Sequence, residues 1–281
     1  MTTTASGSSN AGEVTTWVER YGPWALVLGG SEGIGASFSQ LLAADGINVV
    51  LAARRTQPMA ELAHQLETQN GVSTRCIAVD LTAPDAIAQL AEATSDLEIG
   101  LLVYNAGATH GMATFHEKGL DAHLGLVSLN CIGPLVACHH FGAAMLPRGR
   151  GGIILVGSIS GTAGSALNVT YSAAKAFEQV LAEGLWCEMR PQGVDVLALL
   201  AGATRTPSLE RSRAGWGGND FAPMEPDQVA REGLANVGNG PVWVASEKNR
   251  AGFDYLRSVP RRDAVSVLSK ATRAFSAGSV V

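Results

Sequence analysis

The sequence predicts an α/β fold built on a doubly wound parallel sheet, in a single domain. Three observations carry that expectation. Short apolar runs alternate with longer helical patterns along the 281 residues. The apolar runs are hydrophobic on consecutive residues, as expected of strands covered by helices on both faces. A cluster of glycines, Gly29, Gly30, Gly33 and Gly35, falls between the first apolar run and the first helical pattern. Strand–helix alternation at this spacing points to a doubly wound sheet.

The elements follow in order. "WALVLGG" (24–30) reads as a strand and 34–44 as a helix. "INVVLAA" (47–53) is a strand, followed by a helix over 58–69. "TRCIAVD" (74–80) is a strand, followed by a helix over 84–93. "IGLLVYNAG" (99–107) is a strand, and a long helical region runs over 114–145. "GGIILVGS" (151–158) is a strand, followed by a helix over 169–189. "GVDVLALLAG" (193–202) is a strand, and "PVWVA" (241–245) is the last. The connections are short, so one catalytic domain is expected over 21–281 with no linker. Residues 1–20 read as a polar tail, without the basic start and apolar core of a secretory signal.

Composition excludes several classes of function. Net charge is −5, from 25 acidic and 20 basic residues, with no run of like charge, so nucleic acid is not expected as a partner. The apolar runs are too short to span a bilayer. Cys76, Cys131, Cys138 and Cys187 form no CxxC pair and sit among apolar residues, which reads as reduced thiols in a cytoplasmic core. His139 and His140 are adjacent, so on a helix they point about 100° apart. They have no carboxylate at ligand spacing, so no metal is expected.

The glycine cluster occupies the strand-to-helix turn where a dinucleotide pyrophosphate binds in such folds. Glycine permits the tight turn, lets backbone N–H groups approach phosphate, and allows helix to pack on strand, while the helix dipole faces the anion. The spacing is Gly29-x-x-x-Gly33-x-Gly35, not GxGxxG. Further along, "YSAAK" puts Tyr171 and Lys175 on one side of a helix. Ser158 ends a strand 13 residues earlier, "YNAG" (104–107) ends another, and Asn130 lies in the helical region after it.

This ordered set resembles the short-chain dehydrogenase/reductase family over residues 22–245. The resemblance implies a Rossmann fold and a nicotinamide cofactor. It implies a phosphate turn of Gly29, Ser31, Gly33, Ile34 and Gly35. Asp80, with Leu81 beside it, corresponds to the residue that meets the adenine amino group. Asn105, Ala106 and Gly107 correspond to the segment beside the adenosine ribose. Asn130, Ser158, Tyr171 and Lys175 correspond to a catalytic tetrad, in which Tyr171 and Lys175 also contact the cofactor. "LAGATRTP" resembles the family's segment near the nicotinamide, with Gly202, Thr204 and Thr206. The sequence departs from the common pattern at Leu28, at Tyr104 and at Ala201, where Thr, Asn and Pro are frequent. The resemblance also implies a homodimer or homotetramer paired through the long helices.

Ala53 stands where NAD users of the family carry Asp, and Arg54 and Arg55 follow it. A 2′-phosphate suits arginine and is repelled by a carboxylate, so NADP(H) is expected over NAD(H). Glu32, in the glycine turn, pulls the other way.

Reduction of a ketone needs a hydride and a proton, and the cofactor supplies the hydride. Tyr171 would supply the proton. A free tyrosine has a pKa of about 10, and the Lys175 ammonium one turn away favours the phenolate. Ser158 would donate to the substrate oxygen, with Ser160 as a competitor. The family assigns Asn130 a proton-relay water. The segment 206–226 carries Leu209, Trp216 and Phe221 and reads either as a lid with an apolar underside or as a packed surface loop. With His110, Met112 and Leu167, these residues are the expected substrate pocket. No cation is aimed at a substrate anion, so an apolar, aromatic or steroid-like ketone or secondary alcohol is expected. An enoyl reductase, an epimerase or dehydratase, and a non-catalytic NADP(H) sensor are the alternatives.

Overall fold

The computed structural model describes residues 16–107, 109, 111–212 and 223–277. The elements run α1 (Trp17–Tyr21), β1 (Trp24–Leu28), α2 (Gly33–Ala44), β2 (Asn48–Ala53), α3 (Thr56–Asn70), β3 (Thr74–Ala78), α4 (Ala86–Ala93), β4 (Ile99–Tyr104), α5 (Leu120–Val127), α6 (Gly133–Met145), β5 (Gly151–Ser158), α7 (Val169–Met189), β6 (Val194–Ala201), α8 (Pro207–Ser212), α9 (Pro226–Asn236), β7 (Val242–Val244), α10 (Glu247–Ser258) and α11 (Arg261–Ala277). Seven parallel strands form one sheet in the order β3-β2-β1-β4-β5-β6-β7. This is the expected doubly wound Rossmann architecture.

Consecutive apolar residues in the strands feed two opposite cores. Val27, Val49, Leu51, Val103, Ile154, Leu197 and Leu199 pack with Phe38 and Leu42 of α2, Met59 and Leu66 of α3, and Val229 and Leu234 of α9. Their neighbours Leu26, Val50, Leu102, Tyr104, Ile153, Leu155, Val196 and Ala198 pack with Leu90 of α4, Phe141 and Met145 of α6, and Ala182 and Met189 of α7. Every residue of β4, β5 and β6 is buried. Burying each large aliphatic side chain contributes about 1.5–3 kcal/mol, so the sheet interior supplies most of the driving force.

Three features differ from the sequence expectation. First, helical structure begins before residue 21. Thr16 caps α1, and Tyr21 Oη, Arg20 Nε and Arg20 Nη2 all donate to Asp195 Oδ2, at 2.7, 2.8 and 2.6 Å. Asp195 is buried at the start of β6, so these donors hold α1 against the end of the sheet opposite the crevice.

Second, the region 114–145 is not one helix. A 3₁₀ turn at Phe115–Glu117, closed by a Thr114–Glu117 capping box, precedes α5. A π-helical turn at Ser128–Ile132 then joins α5 to α6. The wider turn passes over the Tyr104 ring. Tyr104 Oη donates to Leu129 O at 2.7 Å, and a Cβ at Gly133 would lie 2.1 Å from that hydroxyl. Residues 120–148 are apolar and long enough to cross a membrane by length and composition. Here α6 covers β4 and β5, burying Phe141 and Met145.

Third, α10 and α11 extend the fold past the last strand. They enclose a small separate core of Ala163, Leu256 and Ala264. Arg261 Nη1 donates to Thr162 O at 2.6 Å, Ala166 N donates to Ser269 Oγ at 3.0 Å, and Ser165 Oγ meets Thr272 Oγ1 at 2.6 Å. The C-terminal helices therefore brace the segment that follows β5.

Candidate active site

Strand order reverses between β1 and β4, which places a crevice at the carboxyl ends of these strands. One wall is the turn into α2. Gly29 has φ +78°, a conformation open to glycine and strained for other residues. A Cβ at Gly35 would lie 2.1 Å from Gly29 O and 2.7 Å from Asn105 Nδ2. Asn105 Nδ2 donates to Gly29 O at 3.0 Å, tying the end of β4 to the turn. A Cβ at Gly29 would also lie 3.0 Å from Ala106 Cα, and one at Gly33 would lie 2.8 Å from Thr206 Cγ2. The glycine turn, residues 105–106 and Thr206 are thus brought together. Ile34 is partly buried against the core.

At the far end of β2, Arg54 is exposed, with Ala53 buried before it. Asp80 Oδ1 accepts from Thr82 N at 3.0 Å and from Thr82 Oγ1 at 2.8 Å, and these bonds, with Arg54 nearby, hold its carboxyl below the usual range. Leu81 is buried. Arg55 pairs with Glu32 of the glycine turn. The two residues that pull the cofactor expectation in opposite directions therefore engage each other.

The second group of expected residues meets at the ends of β4 and β5. Tyr171 and Lys175 lie one turn apart on α7, with Lys175 Nζ 5.8 Å from the Tyr171 ring centroid. Ser158 ends β5, and its Oγ accepts from Ser160 N at 3.1 Å. Gly161, in the turn after Ser158, packs on α7 so closely that a Cβ would lie 2.7 Å from Ala176 N and from the Lys175 carbonyl carbon. Asn130 is buried in the π-helical turn, where Nδ2 donates to Leu126 O at 3.0 Å. A Cβ at Gly107 would lie 3.0 Å from Asn130 Oδ1 and 3.1 Å from Lys175 Nζ. Asn130 and Lys175 therefore meet beside Gly107, with Tyr171 one turn from Lys175 and the turn after Ser158 packed on the same helix.

A residue that the motif reading missed lies at the centre of this group. Glu178 is 1% exposed, three residues beyond Lys175 on the sheet-facing side of α7. Lys175 Nζ donates to Glu178 Oε1 at 2.9 Å, to Oε2 at 2.8 Å and to Val156 O at 3.1 Å. Burial opposes the charge on Lys175, but the Glu178 carboxylate and the Tyr171 side chain outweigh it and raise the ammonium pKa. Burial pushes Glu178 up to about 7 although Lys175 pulls it down. A carboxylate in an otherwise apolar helix row, three residues after the lysine, was the available signal.

The walls around the tetrad come from several segments. Leu167 has φ +65°, and its carbonyl accepts from Ala113 N at 3.1 Å, so the segments holding Met112 and Leu167 run together. Thr204 bridges Met224, and Met224 N donates to Ala203 O at 2.9 Å, closing the base of the segment 206–226. Leu209 lies in α8, whose start is held by Thr206 Oγ1 accepting from Leu209 N at 3.1 Å. Gly202 sits against Asn249 of α10, a Cβ there lying 2.4 Å from Asn249 Nδ2. His110, Trp216 and Phe221 lie outside the described residues.

Residues 23–216 match the short chain dehydrogenase family. The chain belongs to that family. It is accordingly an oxidoreductase of the class that binds a nicotinamide cofactor. It is 31% identical over 252 residues to a 7beta-hydroxysteroid dehydrogenase of Clostridium sardiniense, covering 90% of this chain and 96% of that protein. Its fold superposes on a solved 7beta-hydroxysteroid dehydrogenase with a TM-score of 0.84 at 28% identity, over 90% of this chain and 99% of the other. A short-chain dehydrogenase from Sphingobium yanoikuyae, solved in complex with NADPH, gives 0.75 at 29% identity, over 89% and 97%.

Tyr104, one of the departures from the common pattern, holds the turn that carries Asn130. Replacing it by Phe removes the donor to Leu129 O and leaves a partly buried carbonyl without it. Tyr104→Phe should lower stability by about 1–2 kcal/mol, read as a lower urea midpoint with an unchanged slope. An unchanged midpoint would show that the hydroxyl contributes nothing.

Proposed function

We propose that this short-chain dehydrogenase uses NADP(H) to interconvert a ketone and a secondary alcohol on an apolar, aromatic or steroid-like substrate. The reading rests on Tyr171 and Lys175 one turn apart on α7, gathered with Ser158 and Asn130 at the strand ends facing the glycine turn. The cradle fits a dinucleotide: Gly29, Gly33 and Gly35 keep side chains out of the positions where Ala106, Thr206 and Asn105 stand against the turn. Gly29, Ser31, Gly33, Ile34 and Gly35 would hold the pyrophosphate at the α2 N-terminus. Asp80, Leu81, Asn105, Ala106 and Gly107 would hold the adenosine, and Gly202, Thr204 and Thr206 the nicotinamide end. A nicotinamide held there would supply or take up the hydride.

The protein's own groups handle the oxygen and its proton. Ser158 Oγ accepts from Ser160 N, which leaves its O–H hydrogen to donate to a substrate oxygen. This favours Ser158 over Ser160, whose backbone serves it. Tyr171 gives the proton to the forming alkoxide, or takes it from the alcohol. Met112, Leu167 and Leu209 would form the apolar wall. The relatives' names support a steroid-like substrate, and ketones tested against enoyl thioesters would separate this reading from an enoyl reductase. The four cysteines are free thiols, which supports a cytoplasmic protein, although Cys76 and Cys187 are exposed rather than in the core that the sequence predicts.

Arg54 is the group proposed for the 2′-phosphate. Arg55 is already engaged by Glu32, so Arg54 carries the greater share. A homo-oligomer of two or four copies is also proposed. Leu124, Ile132, Leu135 and Val136 along α5 and α6, and Val169, Phe177 and Val180 along α7, are exposed apolar side chains on the helices expected to pair.

Three outcomes test these readings. Tyr171→Phe should reduce kcat by about 10²–10⁴-fold while cofactor affinity stays within a few-fold, and Lys175→Ala should damage both. A Tyr171→Phe enzyme keeping more than about a tenth of wild-type kcat would end the acid–base assignment. For Arg54→Ala/Arg55→Ala, kcat/KM for NADPH should fall by about 10–150-fold, the equivalent of 1.5–3 kcal/mol for a charge-assisted contact. NADH should be nearly unaffected, and equal losses for both cofactors would assign the arginines to the fold or to adenine. Light scattering at micromolar concentration should give two or four times the 29.1 kDa chain mass, and a 29.1 kDa particle would refute the assembly.

A further inference from the structure

We propose that Glu178 is a positioning residue that couples cofactor binding to proton uptake: it holds Lys175 back from the crevice and takes up a proton when Lys175 turns to the nicotinamide ribose. The proposal rests on the reading of Lys175 as a cofactor ligand and adds a residue and a coupling to it.

An ammonium has three N–H bonds and no lone pair. In Lys175 all three are spent, two on the oxygens of Glu178 and one on Val156 O. None is left for ribose hydroxyls or for the phenol of Tyr171. To serve either, Lys175 must give up at least one of these acceptors. Val156 O belongs to a strand buried throughout, so the side chain of Glu178 is the acceptor that can be released.

Glu178 then faces a burial problem. Among the described residues, its oxygens accept hydrogen bonds from Lys175 alone. The groups around it come from five elements. Tyr104 of β4 faces it but donates its hydroxyl to Leu129 O. Cys131 of the π-helical turn and Cys138 of α6 face it as thiols whose pKa values are raised, Cys138 to about 12, chiefly by burial. From β5 come only Val156 and Gly157, the latter placed so that a Cβ would lie 3.8 Å from Glu178 Oε2. On α7 itself stand Lys175 and, through it, Tyr171. No second cation is present in this set to replace Lys175.

A buried carboxylate that loses its cation neutralises by taking up a proton. Here the affinity for a proton is already high, since burial places the Glu178 pKa near 7 with Lys175 still bound to it. The balance is simple: the ammonium keeps its three hydrogens and its charge, and one proton from solvent joins a Glu178 oxygen. Linkage fixes the sign. Protonation accompanies binding, so cofactor affinity falls as pH rises above the Glu178 pKa, by up to tenfold per unit. It levels off where Glu178 in the complex begins to ionise.

The test is isothermal titration of the full-length protein with NADPH at pH 8, in two buffers of different ionisation enthalpy. The 2′-phosphate, whose second pKa is about 6 as in other phosphate monoesters, is already ionised there. Wild type should take up close to one proton per site, and its NADPH affinity should weaken by up to tenfold between pH 8 and pH 9. Glu178→Gln keeps a side chain of the same shape that cannot titrate. It should take up nearly one proton fewer and show a flat affinity over the same range. Binding without proton uptake in wild type overturns the proposal and needs no variant to read. Equal uptake by wild type and Glu178→Gln overturns it as well. If neither NADPH nor NADH binds, the nicotinamide reading falls and the proposal falls with it.

Discussion

No side chain fits between Gly35 and the Gly29 carbonyl, and the geometry of the crevice follows from that closeness. A Cβ at Gly35 would stand 2.1 Å from the carbonyl oxygen. Helix α2 can therefore start almost against the strand it leaves, with its unpaired N–H groups turned toward the crevice. Asn105 donates to the same carbonyl, so the end of β4 is fixed to the same point. The position of β4 in turn sets Tyr104, whose hydroxyl holds Leu129 O and with it the π-helical turn of Asn130. One short contact thus propagates from the phosphate side of the crevice to the reacting side.

The sheet and the Tyr171–Lys175 helix were legible because their physics is local. Strands buried on both faces show as unbroken apolar runs, and two side chains on one helix face show as a four-residue spacing. The break in 114–145 was not legible, because a π turn adds one residue without changing composition. Its cause is the Tyr104 side chain beneath Gly133, far away in sequence. Helix α1 was hidden for a similar reason. Its anchor is a buried carboxylate at Asp195, and the pairing with Arg20 spans 175 positions.

The C-terminal helices escaped the motif reading because they bury so little. Their core contribution is small, with Leu256, Ala264 and Leu268 packed on Ala163. Most of their work is polar: Arg261, Ser269 and Thr272 reach the segment 162–166, which follows Ser158. Side chains of that kind look like solvent-facing residues in a sequence. Their position matters for function because the braced segment leads into Leu167, which pairs with the 111–113 segment across the expected substrate wall. A fold in which the substrate side is held by the last helix can change its pocket there without disturbing the glycine turn.

Glu178 follows the same logic at the energetic level. Two charges in a site this dry lose their hydration, and their attraction roughly repays the loss, so a buried ion pair is weak evidence for stability. An apolar side chain at 178 would pack among Tyr104, Cys131 and Cys138 without that cost. The carboxylate is therefore better explained by what it does to Lys175 than by what it adds to folding. It is buried three residues beyond the lysine, while Tyr171 lies one turn before it on the same helix. A lysine between a buried carboxylate and an open crevice has two acceptor sets to choose from, and the proton state of the carboxylate decides how strongly the first one competes.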